Sequence, residues 1–374
     1  MASTDTIRIA AMGDAMLGRS VGARYEARPD DFAMADIRGV VDGHDIVFVN
    51  LECPVSSRGR PDPIQKPNVT FCAPPATIQI LKGLGVNVVS VGNNHALDYG
   101  VEALEDTLSH LTAAGIQWGG AGRDYAEANA PICLEVNGQR VAILSHVFIY
   151  SASTRMAADQ QPGVADHRIE RILPTISQLR RNGYIVIVSA HWGLEYAFHP
   201  IPYQRRQARQ MIEAGASLIL GHGPHYPQGF ETHKHGRIVY SLGNILFDEP
   251  YPYSNRSFIY SVALSRTAGS VVEEQITPVR IVGGVPRIMT GHDGQRLRRA
   301  LDALTRGYQA ASRKQQRKIS ARYLSDIVNR VLTMKSLRFL FLPPLSFYRD
   351  VGLTGIAQKM RIRNLFGIFR KVWN

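Results

Sequence analysis

From residue 7 to residue 282, short apolar runs rich in Val and Ile alternate with stretches whose apolar residues recur at three- and four-residue spacing. The runs predict strands over residues 7–12, 45–50, 86–91, 141–146, 185–190, 218–220, 238–241 and 258–264. The second pattern predicts amphipathic helices over residues 76–84, 101–114, 168–181 and 203–214. Gly115, Gly183 and Gly215 fall just past three of these helices, where a residue free to take positive φ closes the last turn. Strand and helix in alternation predict an α/β layered fold. Near residue 290 the text changes to Arg-rich helical sequence, beginning Gly294-Gln295-Arg296-Leu297-Arg298-Arg299. The chain thus divides into an α/β domain, residues 1–290, and a basic, mostly helical C-terminal extension, residues 291–374.

Six apolar runs end in polar or metal-capable residues: Gly13-Asp14, Asn50-Leu51-Glu52, Gly92-Asn93-Asn94-His95, Ala190-His191-Trp192-Gly193, Gly221-His222-Gly223-Pro224-His225 and Ser241-Leu242-Gly243-Asn244. Open α/β sheets assemble their sites from strand ends, so these blocks predict one site built from many strands. Asp14 offers a hard oxygen ligand or a helix N-cap, and Arg19 in the following turn could fork onto an anionic substrate. Alternation places Asn50 and Glu52 on one face, and a buried Glu52 carboxylate needs a cation, either a metal or an Arg. In the third block Asn94 can offer an amide oxygen to a metal, while His95 can act as general acid with Asp98, three residues on, fixing its tautomer. His191 closes another strand, and Trp192 and Glu195 of the same block, with Asn93, are expected to contact substrate. His222 and His225 converge on a turn that Pro224 bars from becoming helix, which makes a metal pair. Asn244 is expected to orient substrate or a ligand, whereas His233-Lys234-His235 reads as an exposed hairpin tip. The chain lacks a G-x-S-x-G elbow, a G-x-x-x-x-G-K-[ST] loop and a Rossmann glycine fingerprint. Serine hydrolases, P-loop enzymes and dinucleotide oxidoreductases are therefore disfavoured.

Charge changes this picture at one end only. Residues 1–294 carry 25 Lys/Arg and 28 Asp/Glu, net −3, while residues 295–374 carry 18 and 3, net +15. Within that tail, Ile356, Met360, Ile362, Leu365, Phe366, Ile368, Phe369, Val372 and Trp373 are interspersed with Lys359, Arg361, Arg363, Arg370 and Lys371. This is the pattern of a basic amphipathic helix, fit to lie on an anionic membrane surface or to dock on the core with its basic face in water. No nucleic-acid module is recognisable, so nucleic acid is not expected as a partner. The first residues lack a signal-peptide pattern and no apolar stretch is long enough to span a bilayer. A cytoplasmic protein is expected, with peripheral attachment to the inner face of the membrane and docking on the core as the two roles open to its tail. Cys53, Cys72 and Cys133 fit neither a disulfide framework nor a C-x-x-C metal motif.

Taken in order, the six blocks resemble the CapA, or poly-γ-glutamate capsule synthesis, family within the calcineurin-like metallophosphoesterase fold, over residues 6–250. The resemblance implies a four-layer α-β-β-α sandwich with a metal centre at the C-terminal ends of the strands. Carried over by position, it implies Asp14, Glu52, Asn94, His191, His222 and His225 as ligands of one or two divalent ions (Mn, Zn, Fe or Mg). It makes Glu52 the bridge and His95 the acid near the leaving group. The implied activity is metal-dependent hydrolysis of a phosphoester or γ-glutamyl-type amide in capsule or cell-envelope polymer metabolism. The alternative is a non-catalytic accessory to synthesis or export of an anionic polymer. The chain departs from the family pattern at Met16 and Gly223, where relatives carry His.

Overall fold

A strand that is apolar on both faces must be covered on both faces, and this chain builds two sheets of such strands. The computed structural model describes residues 6–149, 154–251 and 253–310, with side chains to residue 307. The first sheet runs Val285–Ile288, Val271–Val282, Arg256–Ser265, Thr6–Ala15, Ile46–Leu51, Val88–Ser90, Gln117–Gly119, and Asn244–Leu246 also pairs with Thr6–Ala15. Its half from Thr6–Ala15 onward is parallel, while the other half is antiparallel. The second sheet runs Phe230–His233, Gly236–Val239, Ala216–His222, Ile185–His191, Gln139–Val147, Ile132–Val136. It is parallel in the middle and ends at each edge in an antiparallel strand.

Alternation along each strand sorts residues between two cores. On the first strand Ile7, Ile9 and Ala11 face the second sheet, whereas Ala10 and Met12 face helices. Ile46 and Phe48 likewise point between the sheets, with Val47, Val49 and Leu51 pointing outward. In the second sheet Ile185, Ile187, Leu218 and Leu220 point inward, and Val186, Val188 and Ile219 outward. Ile78–Gly83 and Gly100–Ala113 cover the first sheet through Leu81, Leu104, Leu108 and Leu111. Ile169–Arg181 and Pro202–Ala214 cover the second through Ile172, Ile176, Met211 and Ile212. Three apolar clusters between four layers make the α-β-β-α sandwich, as expected. Each fully buried Ile, Leu or Val contributes about 1.5–3 kcal/mol, so the middle cluster, shared by both sheets, is what holds the two sets of strand ends together.

The predicted elements are all present, with shifts at their ends. Gly115, Gly183 and Gly215 take φ of 73°, 81° and 121° and close their helices as expected. The strand expected over 86–91 contracts to Val88–Ser90, because the chain leaves the sheet early to form the loop that carries His95. The strand Val271–Val282 falls outside the predicted runs, since residues 272–275 are exposed and polar apart from Val272. The tip at Lys234 and His235 does join two antiparallel strands. The helix Gly291–Ala310 opens the expected extension, yet its Leu297 and Leu301 are buried in the cluster between the sheets. The hydroxyl of Thr305 on this helix accepts the Phe230 backbone N–H at 3.0 Å. The basic amphipathic segment expected at 356–373 lies outside the described residues. Among the described residues no helix is long and apolar enough to cross a membrane.

Candidate metal centre

The inward face of the strands, apolar along their length, turns polar at one end. Continuing the alternation from Ile46 and Phe48 puts Asn50 and Glu52 between the sheets, and from Ile185 and Leu218 the same parity delivers His191 and His222. His191 and His222 are direct register partners on adjacent parallel strands. Strict alternation would send Asp14 outward with Ala10 and Met12. A register shift between Ala11 and Asp14 turns it inward instead, opposite Asn50 and Asn244. Gly13 permits this turn: a Cβ there would stand 1.9 Å from the Gly243 carbonyl oxygen, which accepts the Asp14 N–H at 2.8 Å.

These ends meet in one buried cluster. Ligand atoms of Asp14, Glu52 and His191 lie within 4.8 Å of one another. Asp14 accepts from His222 Nδ1 at 3.1 Å, from the Gly223 N–H at 3.1 Å and from the Asn50 amide at 2.9 Å. His222 Nε2 is left with no hydrogen-bond partner among the described residues, as are both carboxylate oxygens of Glu52. Glu52 Oε1 stands 3.5 Å from His191 Nε2, 3.9 Å from His225 Nε2 and 4.0 Å from His95 Nε2. Such orphaned buried groups are costly unless something binds them, and carboxylate and imidazole donors suit Mn²⁺, Fe²⁺, Zn²⁺ or Mg²⁺. The residues therefore fit a divalent metal.

Supporting groups orient the imidazoles. His95 donates from Nδ1 to Asp98 at 2.8 Å, and the same carboxylate accepts the Phe71 N–H at 2.8 Å and the Gln65 amide at 2.6 Å. Asn93 donates to Asn50 and to the Leu51 carbonyl and accepts the His95 N–H, which pins the loop to the neighbouring strand. His225 Nδ1 donates to Asn244 at 2.9 Å, which leaves Nε2 facing Glu52. His225 holds φ at 58°, and Arg19 and Tyr196, which border the pocket, hold 48° and 60°. Left-handed backbone at non-glycine residues costs about 1–3 kcal/mol each and clusters where function demands it.

The electrostatics follow from burial. Burial raises the Asp14 carboxyl, but the His222 hydrogen bond and the charges of His222, His225 and His191 outweigh it and hold Asp14 at about 2. Glu52 lacks such hydrogen bonds. Burial first, then Asp14, Glu195, Glu249 and Asp98, push it well above the usual carboxylate range. Burial also drives His191 down to about 3. Burial lowers His225 too, yet Glu249, Asp14, Glu195 and the bond to Asn244 leave it raised.

Of the residues singled out in the sequence, Asp14, Glu52, His191, His222, His225, His95 and Asp98 come together here, with Asn93 and Asn244 as orienting groups. Asn94 is buried in the same loop, its carbonyl accepting from Thr154. Glu195, half-buried, lies within electrostatic reach of His225, Glu249 and His95. Two expectations need correction. Arg19 does not present an open fork, because Asp248 occupies its guanidinium, which lies over the Phe71 ring at 4.7 Å. Trp192 is fully buried, donates its indole N–H to the Tyr240 carbonyl at 2.9 Å and packs in the helix-side core, so it is a scaffold residue and not a substrate contact. Sequence reading missed Asn50 as a partner of Asp14. It also missed Phe71, whose ring lies against His95, and Glu249, which accepts from the Tyr196 hydroxyl at 2.9 Å. Glu249 lies five residues past Asn244 in the last block, and that proximity was the available signal.

Comparison with known proteins gives this arrangement a family. A family model described as bacterial capsule synthesis protein PGA_cap matches residues 8–249. The chain is 31% identical to the capsule biosynthesis protein CapA of Bacillus anthracis over 285 residues, 75% of this chain and 68% of that protein. It is also 31% identical to the PGA biosynthesis protein CapA of Bacillus subtilis, covering 76% of this chain and 74% of that one. A Mycobacterium tuberculosis protein named "Probable polyglutamine synthesis accessory protein" is 27% identical, covering 71% and 73%. Among solved structures, a phosphatase of Mycoplasma pneumoniae superposes with a TM-score of 0.45 at 12% identity, over 78% of this chain and 97% of that one. The match over residues 8–249, which spans all six strand-end blocks, together with the identity to the two Bacillus proteins, places the chain in the CapA family of bacterial capsule synthesis proteins.

Proposed function

We propose that the protein is a metal-dependent hydrolase acting on a phosphoester or a γ-glutamyl-type amide in capsule or cell-envelope polymer metabolism. One observation carries the reading: Glu52, wholly buried and with neither oxygen hydrogen-bonded among the described residues, stands amid Asp14, His191, His225 and His95. Asp14, Glu52, His191, His222 and His225 would hold the metal, with Asn94 as a further oxygen donor. A bound divalent ion supplies Lewis acidity, which polarises the scissile group and acidifies water. The chain's own part is orientation and proton handling. Asp98 fixes the His95 ring so that Nε2 faces the cluster, where it can hold a proton for the leaving group. Asn244 and Asn50 keep His225 and Asp14 in place, and Phe71 shields His95 from water. Protein stripped of metal and refilled with Mn²⁺ or Zn²⁺ is expected to turn over generic phosphoesters or γ-glutamyl peptides. Folded, metal-loaded protein inert on both classes would overturn the proposal.

A second reading, a non-catalytic accessory that keeps the fold, is favoured by Met16. Its side chain is buried in the helix-side core and its sulfur accepts the Gly18 N–H, so this position offers the cluster no ligand. The name of the Mycobacterium tuberculosis relative also speaks of an accessory. The readings separate in cells carrying Asp14→Asn with His225→Ala: an accessory keeps polymer production, a hydrolase loses it.

A further inference from the structure

From the buried cluster a run of aromatic rings leads outward to the surface. Tyr196 lies against His225 with ring centroids 5.7 Å apart, and Tyr251 lies against Tyr196 at 4.5 Å. A second branch passes from Tyr196 to Tyr226 at 5.6 Å, on to Phe198 at 4.8 Å and then to Tyr253 at 5.6 Å. Tyr226 is buried, whereas Tyr251 and Tyr253 are 43% and 49% exposed. Tyrosine rings left open beside a polar pocket offer an apolar face and a polar edge to whatever enters it. We propose that this wall is a subsite for a sugar ring, borne by a phosphoester whose phosphate reaches the metal centre.

The inference rests on the hydrolase reading for the phosphoester and on the rings for the sugar. Tyr196 and Tyr253 hold φ at 60° and 71°, left-handed backbone that bulky residues rarely adopt, so both ends of the second branch are fixed against strain. Arg256 stands over the Tyr253 ring at 5.0 Å and braces the outermost position. The rings are tilted by 47° between Tyr196 and Tyr251, 65° between Tyr196 and Tyr226 and 72° between Phe198 and Tyr253. They are too close and too tilted to leave a parallel slot for a flat nucleobase. Single faces are offered instead, and these suit a puckered ring whose C–H bonds, slightly positive, meet the negative face of the aromatic. Polarity at the inner end narrows the ligand further. The Tyr196 hydroxyl donates to Glu249 Oε1 at 2.9 Å. Glu249 Oε2, on a side chain only 10% exposed, has no hydrogen-bond partner among the described residues, and His225 Nδ1, at 3.9 Å, is turned to Asn244. An ionised carboxylate only accepts, so this oxygen calls for a donor: a sugar hydroxyl satisfies it, whereas a carboxylate or a second phosphate is repelled.

Full-length protein loaded with Mn²⁺ is to be titrated calorimetrically with two phosphonates whose C–P bond resists hydrolysis: the C-glucosyl phosphonate analogue of glucose 1-phosphate, and ethylphosphonate. The glucosyl compound is expected to bind about tenfold more tightly. Tyr251→Ala and Tyr253→Ala, both at exposed positions and with an unchanged circular dichroism spectrum, should cut that preference to about twofold or less, while Tyr251→Phe, which keeps the ring, should retain it. Equal affinity of the native protein for the two compounds, binding of neither, or a preference undiminished in both alanine variants would overturn the sugar subsite. Turnover of glucose 1-phosphate checks the hydrolase reading separately. If the glucosyl preference and its loss in the variants hold while no hydrolysis occurs, the hydrolase reading falls and the sugar subsite stands.

Discussion

Single residues in this pocket act through what they exclude as much as through what they bind. Gly13 takes ordinary backbone angles, so its necessity is steric: a methyl group there would collide with the Gly243 carbonyl and break the bond from Asp14. Gly13→Ala is expected to lose about 3 kcal/mol or more in urea melts, because backbone cannot yield as a side-chain tip can. A variant as stable as the parent would show that the strand ends separate freely. Asp98 acts by accepting. Asparagine at 98 would turn an N–H toward one of the donors from His95, Phe71 or Gln65, and the ring would lose its fixed tautomer. Asp98→Asn should therefore lower kcat by about 10–100-fold in any assay where the metal-loaded protein turns over, with metal content unchanged. Loss of metal alongside activity would place Asp98 in the binding of the ion instead. These roles were partly legible: a His followed three residues later by an Asp is a local signal, whereas Gly13 reveals its reason only once the Gly243 loop folds back across it.

Elements were legible wherever local pattern matched burial. Strands that are apolar on every position announced two-sided burial, and their polar ends announced a site, because both signals lie within a few residues of one another. What the sequence hid was parity. Asp14 reaches the cluster through a register shift in its strand, and nothing in Ala10-Ala11-Met12-Gly13 specifies on which face the following residue emerges. The strand Gln139–Val147 hides a second long-range fact, a buried His146 that donates from Nδ1 to the Asp166 carbonyl at 2.7 Å. Burial lowers its pKa to about 4, against the bond to Asp166, which raises it. Since the unfolded chain takes up this proton near pH 6.5 and the folded one only near pH 4, the stability it contributes is present above pH 6.5 and lost as pH falls toward 4. The loss amounts to about 3 kcal/mol, and His146→Gln should flatten that part of the stability curve by about one proton. Identical acid limbs in thermal melts of the two proteins would assign the proton elsewhere, for instance to His191, which shifts in the same direction.

At the scale of the whole molecule the helix that follows residue 290 contributes to the core between the sheets. Leu301 on the helix Gly291–Ala310 is fully buried between the sheets, so Leu301→Ala should cost about 2–5 kcal/mol, far more than trimming a surface appendage would. A change below 1 kcal/mol in denaturant melts would make the helix dispensable. Charge divides the chain at nearly the same place, net −3 up to residue 294 and net +15 beyond it. A surface of anionic lipid attracts a nearby Lys or Arg by about 1 kcal/mol each, so Lys359, Arg361, Arg363, Arg370 and Lys371 together would favour such a membrane by about 5 kcal/mol, more than a thousandfold in partition. Interspersed apolar residues add burial that salt does not screen. Full-length protein is accordingly expected to float with phosphatidylglycerol vesicles and not with phosphatidylcholine vesicles, and to detach in part at about 0.5 M salt, where the screening length falls below 5 Å. Replacing the five basic residues by Gln should abolish flotation while leaving the melt of the α/β core unchanged. If the native protein stays in the soluble fraction with both lipids, the tail's charge answers to some other anion.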